Sequence, residues 1–393
     1  MIPVILFWIL LAVILYCYLG YAVLLLLFAR LKRIFTPTFV GDIPGNDELP
    51  GVTVVIAAYN EREIVHQKVK NMQSINYPPE KLNQVWVTDG SDDGTPELLR
   101  QYPGLDVLHW TERRGKASAL NHAMEYVKTP ITIFSDANTM LAPNAVLELV
   151  KPFNDHRVGC VTGEKQVIFD NCTGASSTGE GMYWKYESFI KQLESETGST
   201  LSAVGELFAI RTALFSPLKP DVILDDFDIS TRIALGGKRV LYSKNAIATE
   251  NGSLNFEEEY KRKVRIAAGS FQTLFRSPGL LNLFKNFSLT FKYISHKVLR
   301  WTVVPLAILL LPILTLWVVS DQPSGFYLTT AILVLIFYLV ALLGFLLRNR
   351  PLKFHALFLP YYLLMMHIAE TQGLWRYLLH RQDVRWEKSK RET

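Results

Sequence analysis

In the stretch "ITIFSDANTM" (131–140) an apolar run breaks into Asp136-Ala137-Asn138. Alternation along an extended backbone puts Asp136 and Asn138 on one side. Two oxygen donors there suit a hard divalent cation, Mg²⁺ or Mn²⁺, and equally suit an ordinary turn. Asn in place of a second carboxylate removes one negative charge, so cation binding would lean on a phosphorylated ligand. "ERRGKASALNHAM" (112–124) leads a basic turn into a helix, where Lys116 and the helix's positive end could meet a phosphate. A solvated surface lysine is the plain alternative. "VILDDFDIS" (222–230) brings Asp225, Asp226 and Asp228 close together. Like charges this near raise one another's pKa, which suits a proton acceptor near neutral pH; an acidic helix start explains the same text. "YKRKVRIAAGSF" (260–271) puts Arg262 and Arg265 on one helical face, open to diphosphate or to membrane headgroups.

These residues need a scaffold. "VTVVIAA" (52–58), "VWVT" (85–88), "LDVLHW" (105–110), "ITIFS" (131–135) and "VGCVTGEKQVIF" (158–169) read as buried strands. Helical patterns fall between them at 116–127 and 143–153. Such alternation predicts a parallel, doubly wound α/β sheet, whose ligands bind beyond the carboxyl ends of the strands. Polar residues stand at those ends: Tyr59-Asn60-Glu61, Asp89, and Asp136 with Asn138.

The rest of the chain is apolar. Of 393 residues, 49% are hydrophobic and 20% charged, too apolar for an ordinary soluble enzyme of this length. The net charge of +5 lies beside apolar runs and not along an aromatic-studded face, which argues against nucleic acid. Cys17, Cys160 and Cys172 lack metal-type spacing and fit a reducing compartment. Residues 1–30 read as a membrane helix about 40 Å long. Residues 31–50 read as a Pro/Gly-rich linker, 51–275 as the α/β domain and 276–300 as a basic amphipathic helix along the inner leaflet. Spans are expected at 301–319 and 326–347. The stretch 354–379 contains Pro360, His367, Glu370 and Arg376 and reads as re-entrant or interfacial, before a basic tail at 380–393. Lys and Arg flank every connection except 320–325, which places the α/β domain in the cytoplasm of a multi-pass inner (plasma) membrane protein.

The ordered set of motifs resembles the family 2 glycosyltransferases of GT-A fold, in the membrane-bound branch of cellulose, hyaluronan and poly-N-acetylglucosamine synthases. The resemblance covers about residues 50–275. It implies that "VVIAAYNE" lines a base pocket with Ala57, Tyr59 and Glu61, and that Asp89 of "VTDGSDDGT" contacts the nucleoside. "RRGKASALN" implies a nucleotide contact by Lys116, and "SDAN" a metal at Asp136 and Asn138. "AVGELFAIRT" implies an acceptor loop at Gly205 and Glu206. "LDDFDIS" puts Asp226 in the catalytic-base position with Asp225 beside it. Where processive synthases carry Gln-x-x-Arg-Trp, this chain has "RKVRI" (262–266): Arg262 replaces Gln, Arg265 is kept, and Ile266 replaces Trp. Loss of that ring weighs against long-chain processivity.

The implied reaction is inverting sugar transfer from a nucleoside-diphosphate sugar, with a UDP-linked donor expected. Asp226 is the base, and Asp136, Lys116, Arg262 and Arg265 serve the diphosphate. The acceptor is a growing saccharide at the bilayer, with room for an accessory secretion subunit. Two alternatives remain open: single addition to a lipid-linked acceptor, and a non-catalytic sensor of sugar nucleotides.

Overall fold

The computed structural model describes residues 2–35, 49–168, 175–253, 255–348 and 358–385. Linker residues 36–48, Cys172, residues 354–357 and tail residues 386–393 lie outside them. Helices α1 (Ile2–Leu15) and α2 (Tyr21–Phe35) form one rod, joined by a π-helical turn at Tyr16–Gly20.

The α/β domain follows. It runs β1 (Val52–Ala58), α3 (Arg62–Gln73), β2 (Leu82–Asp89), α4 (Thr95–Leu99), β3 (Asp106–Trp110), α5 (Lys116–Met124) and β4 (Ile131–Asp136). After β5 (Met140–Leu141) and α6 (Ala145–Val150) come β6 (Val158–Ile168), α7 (Ala175–Glu196), β7 (Leu207–Arg211), α8 (Asp225–Leu235), β8 (Arg239–Asn251) and α9 (Phe256–Arg276). The eight strands form one sheet in the order β3-β2-β1-β4-β7-β6-β8-β5. Strands β3, β2, β1 and β4 are mutually parallel, β7 runs antiparallel to both neighbours, and β6 and β8 are parallel to each other. The sheet is thus mostly parallel, with β7 and the short edge strand β5, antiparallel to β8, as the departures from a purely parallel expectation.

Strand β1 is buried at every position because both faces of the sheet are covered. Val52, Val54 and Ile56 pack with Val65, Val69 and Met72 of α3 on one face. Val55 and Ala57 pack with Ala119, Leu120, Phe134 and Phe208 on the other. Register places Ala57 beside Asp136, so the tips of β1 and β4 end level.

The C-terminal helices are α10 (Phe287–Lys292), α11 (Leu299–Asp321), α12 (Gly325–Leu346) and α13 (Phe358–Leu378). A π-helical turn at Tyr293–Val298 joins α10 to α11, giving a continuous rod where a separate surface helix was expected at 276–300. One side of that rod is buried in the α/β domain: Leu289 and Tyr293 join the core beside Phe227. Among the described residues three helices are long and apolar enough to cross a membrane, Ile2–Phe35, Phe287–Asp321 and Gly325–Leu346. Helix α13 packs on α9 instead. Gly373 permits the close approach, since a Cβ there would lie 2.9 Å from the Val264 carbonyl oxygen.

Candidate active site

The sheet's carboxyl edge collects the acidic residues. Asp136 ends β4, Asp89 ends β2, and Asp225 and Asp226 open α8. Lys116, first residue of α5, stands between them. Its Nζ donates to Asp136 Oδ1 at 2.8 Å and lies 3.4 Å from Asp225 Oδ2. Burial works against the ammonium, but the carboxylates of Asp136, Asp225 and Asp226 outweigh it and hold Lys116 charged. Burial pushes the Asp136 carboxyl upward, partly offset by Lys116.

Asp226 has the more perturbed carboxyl of the pair that opens α8. Burial, then the neighbouring Asp225, pushes its carboxyl up to about 7, while Lys116 pulls it down. Gly205 flanks this carboxylate: a Cβ there would lie 3.4 Å from Asp226 Oδ2. The bare backbone at Gly205 therefore leaves space beside this carboxylate. Arg265 feels the same carboxylates. Asp225, Asp226 and Asp136 all support its charge against burial, and its Nη2 donates to the Ile223 carbonyl at 3.3 Å. Its Nε is buried without a hydrogen bond.

Asp89 is fully buried and accepts backbone N–H bonds from Arg114 at 2.7 Å and Gly115 at 2.8 Å. It fixes the turn that launches Lys116. Two glycines make the turn possible. Gly90 has φ +69°, and a Cβ there would meet the Arg113 backbone at 2.8 Å; Gly115 has φ +92°. Tyr59 lies under Arg113, whose guanidinium carbon is 3.6 Å from the ring centroid, a flat lining next to the β1 tip. The β1 loop is tied to the β2 loop: Asn60 donates to Asp92 Oδ1 at 2.9 Å, and the Glu61 amide to Thr95 Oγ1 at 3.0 Å. Asn138 follows Asp136 by two residues and is half-buried.

Two of the singled-out residues are taken up by ion pairs, Glu206 while still within electrostatic reach of Asp136 and Asp226. The Arg262 guanidinium pairs with Glu180 at 2.7 Å, Glu259 at 3.2 Å and Glu250 at 3.3 Å, a buried nest away from the Asp136 edge. Glu206 pairs with buried Lys165, which also contacts Glu250. It anchors the loop behind Gly205. Lys68 is a residue the motif reading passed over. It is completely buried, donates to Ser135 Oγ at 2.9 Å and to the Thr139 carbonyl, and so braces both sides of the Asp136 turn. Its signal was present: 65, 68, 69 and 72 form one helical stripe, and a lysine on an apolar stripe marks a buried polar partner.

Residues 53–218 match the model of the family described as Glycosyl transferase family 2. Poly-beta-1,6-N-acetyl-D-glucosamine synthase of Staphylococcus aureus (strain COL) is 28% identical over 240 residues, 58% of this chain and 57% of that protein. The synthase of the same name from Staphylococcus epidermidis is 25% identical over 242 residues, 59% of this chain and 57% of that protein. The chain therefore aligns with little more than half the length of these relatives. A mannosyltransferase from Pyrobaculum calidifontis, solved in complex with GDP-Man and Mn²⁺, superposes with a TM-score of 0.68 at 23% identity. That overlay covers 96% of this chain and 99% of the other, and it establishes a shared fold. The central α/β domain of this chain thus carries the match to the glycosyl transferase family 2 model over residues 53–218 and has a GT-A-like fold.

Proposed function

We propose that the chain is a membrane-bound, inverting glycosyltransferase that moves a sugar from a nucleoside-diphosphate donor to a saccharide acceptor at the bilayer. The observation that carries this is the Asp226 carboxylate, tuned to near neutrality and open on its Gly205 side, within one acidic edge with Asp136, Asp225 and Lys116. The relatives named as poly-N-acetylglucosamine synthases support a growing-chain acceptor, the three apolar helices support residence in a membrane, and the Lys and Arg beside them support a cytoplasmic α/β domain under the plasma membrane.

The edge suits a hard divalent cation, Mg²⁺ or Mn²⁺. Its donors are oxygens, Lys116 occupies only one Asp136 oxygen, and Asp225 Oδ2 is buried without a hydrogen bond. Among the described residues no three His, Cys, Asp or Glu side chains converge as a closed cage. A cation held by Asp136 and Asn138 would thus take its remaining ligands from diphosphate and water. Bound there, it would supply charge neutralisation to the diphosphate.

The chain's own residues do the rest. Tyr59 with Arg113, and Ala57 at the β1 tip, receive the base. Asp226 takes the proton from an acceptor hydroxyl as that oxygen bonds to the anomeric carbon. The bond from carbon to diphosphate oxygen breaks on the opposite face, which inverts the centre. Lys116 and Arg265 meet the charge that builds on the departing diphosphate. Arg262, held by three glutamates, positions α9 instead of touching the donor. The test is diphosphate release by the full chain in membranes, assayed over a panel of sugar nucleotides with the product sized. Sugar-dependent release with matching transfer supports the reading; no release with any donor refutes it.

A further inference from the structure

Helix α7 carries four charged side chains on one buried face. Glu180, Glu187, Lys191 and Glu194 follow one another at helical spacing, so they form one stripe, and all four are buried. Three of them have partners. Glu180 pairs with Arg262 at 2.7 Å, and Glu187 with Arg300 at 2.6 Å and Lys297 at 3.1 Å. Glu194 contacts His296 at 2.8 Å and accepts from the Tyr21 hydroxyl at 2.7 Å. Lys191 is the exception. It is 5% exposed, yet its Nζ makes no hydrogen bond or ion pair among the described residues. An ammonium carries several N–H donors, and burying them without acceptors is costly. A buried lysine in that state points to a partner that the chain itself does not supply.

The surroundings of Lys191 locate that partner. Burial, then the Lys297 ammonium, pulls the Lys191 ammonium down to about 8, while Glu187, Asp226 and Glu206 support its charge. Glu187 and Lys297 are already engaged with each other, and Glu206 with Lys165. Asp226 is the remaining charge, and Lys191 faces it without a contact pair. Cys160 of β6 lies within electrostatic reach of both, which sets the three close together. Lys116 and Arg265 already serve the edge at Asp136, where the diphosphate is placed. A further cation beside Asp226 and Glu206, next to Gly205, answers to the other reactant. We propose that Lys191 is an acceptor-binding residue, whose ammonium donates to an oxygen of the acceptor sugar beside the hydroxyl that Asp226 deprotonates. It keeps its own protons and fixes the angle at which the attacking oxygen meets the anomeric carbon. This rests on the transferase reading above and names a group that holds its acceptor.

The test gives the full chain in membranes the same panel of sugar nucleotides, labelled in the sugar, with UDP-N-acetylglucosamine and GDP-mannose among them. It follows diphosphate release, sugar incorporated into glycan, and free sugar formed by water. Lys191→Met should lower incorporation about 10²-fold, while nucleotide affinity stays within about twofold and release to water persists. The same variant should melt at or above the wild-type temperature, because it removes an unpaired buried charge. A lysine that only supported the fold would melt lower when replaced. Lys191→Gln, which keeps an N–H donor, should recover about tenfold of the lost incorporation. Incorporation by Lys191→Met within about threefold of wild type would leave Lys191 a core residue solvated by water and overturns the proposal. A lower melting temperature for that variant, or a loss of nucleotide affinity equal to its loss of incorporation, overturns it as well. No release, or release without incorporation, by the unaltered chain is a separate outcome: it overturns the transferase reading itself and this proposal with it.

Discussion

Replacing Asp226 by Asn tests the proposed chemistry and the electrostatics together. The substitution keeps size and shape but removes the proton acceptor. Loss of a positioned base costs roughly 10²–10⁴-fold, equivalent to about 3–5.5 kcal/mol of barrier, so Asp226→Asn should lose that much kcat while binding donor normally. The same change should stabilise the fold at high pH. A carboxyl that titrates near 7 in place of its ordinary 3.8 disfavours the folded anion by at most about 4 kcal/mol, since each pH unit is about 1.4 kcal/mol.

The sign follows from proton counting. Between pH 4 and 7 the folded state holds the Asp226 proton more often than the unfolded state does, so the wild type loses stability as pH rises through that window. Below pH 4 both states are protonated and the contribution is complete. Wild type and Asp226→Asn should therefore melt alike near pH 4, and the variant should melt higher at pH 8. Transfer by the wild type should fall as pH drops below about 7. Thermal unfolding across pH 4–8 and coupled diphosphate release measure both. A variant that transfers sugar within threefold of wild type, or one that melts lower at pH 8 than at pH 4 relative to wild type, refutes the reasoning.

Lys116→Met should leave Asp136 and Asp225 facing each other without a cation and cost about 3–5 kcal/mol of stability, read from thermal unfolding; added Mg²⁺ or Mn²⁺ should recover part of it. Asp136→Ala should weaken donor binding in the presence of cation, and chelator should then change the affinity of the wild type but not of the variant. Lys68 is pulled down to about 7 by burial, with Asp136 opposing, so the folded state holds fewer protons than the unfolded state from pH 7 to 10. Wild-type stability should rise with pH over that range, and Lys68→Met should flatten the slope. Gly205→Val should fill the space beside Asp226 Oδ2 and lower transfer by about 10²-fold while leaving donor affinity unchanged, as measured by titration of nucleotide against the variant.

The parallel half of the sheet is legible because its strands are uninterrupted apolar runs, a pattern that only strands covered on both faces maintain. The tips follow directly, since each run stops at Asp89, Asp136 or the Tyr59 loop. Strand β8 was not legible: its text, "RVLYSKNAIATEN", alternates irregularly and shifts register against β6 near Thr162 and Glu164. Strand β7 hides inside "GELFAIR", where five residues between two loops carry too little periodicity to separate strand from loop. Buried ion pairs are harder still. Lys165, Glu250 and Glu259 look like surface residues until strand, helix and α13 converge on them, because a charge is tolerated inside only when a distant partner arrives with it.

That convergence separates the two arginines of α9. Residues three apart on a helix diverge by about 60° around its axis, enough for the Arg262 guanidinium to enter the glutamate nest while Arg265 reaches the acidic edge. The nest is closed by α13, whose Tyr362 hydroxyl donates to Glu259 Oε1 at 3.1 Å and whose Gly373 lies against the α9 backbone. Helix α9 is thus gripped on its α13 side, and the free rotamers of Arg265 are limited by where that grip sets the backbone. Widening the contact at Gly373 with a leucine should displace α9 and carry Arg265 away from Asp225 and Asp226, although position 373 touches none of them. Its effect should match that of Arg265→Ala on diphosphate release, and the two changes combined should cost no more than the larger alone. Full additivity would mean that α13 influences the edge by another route.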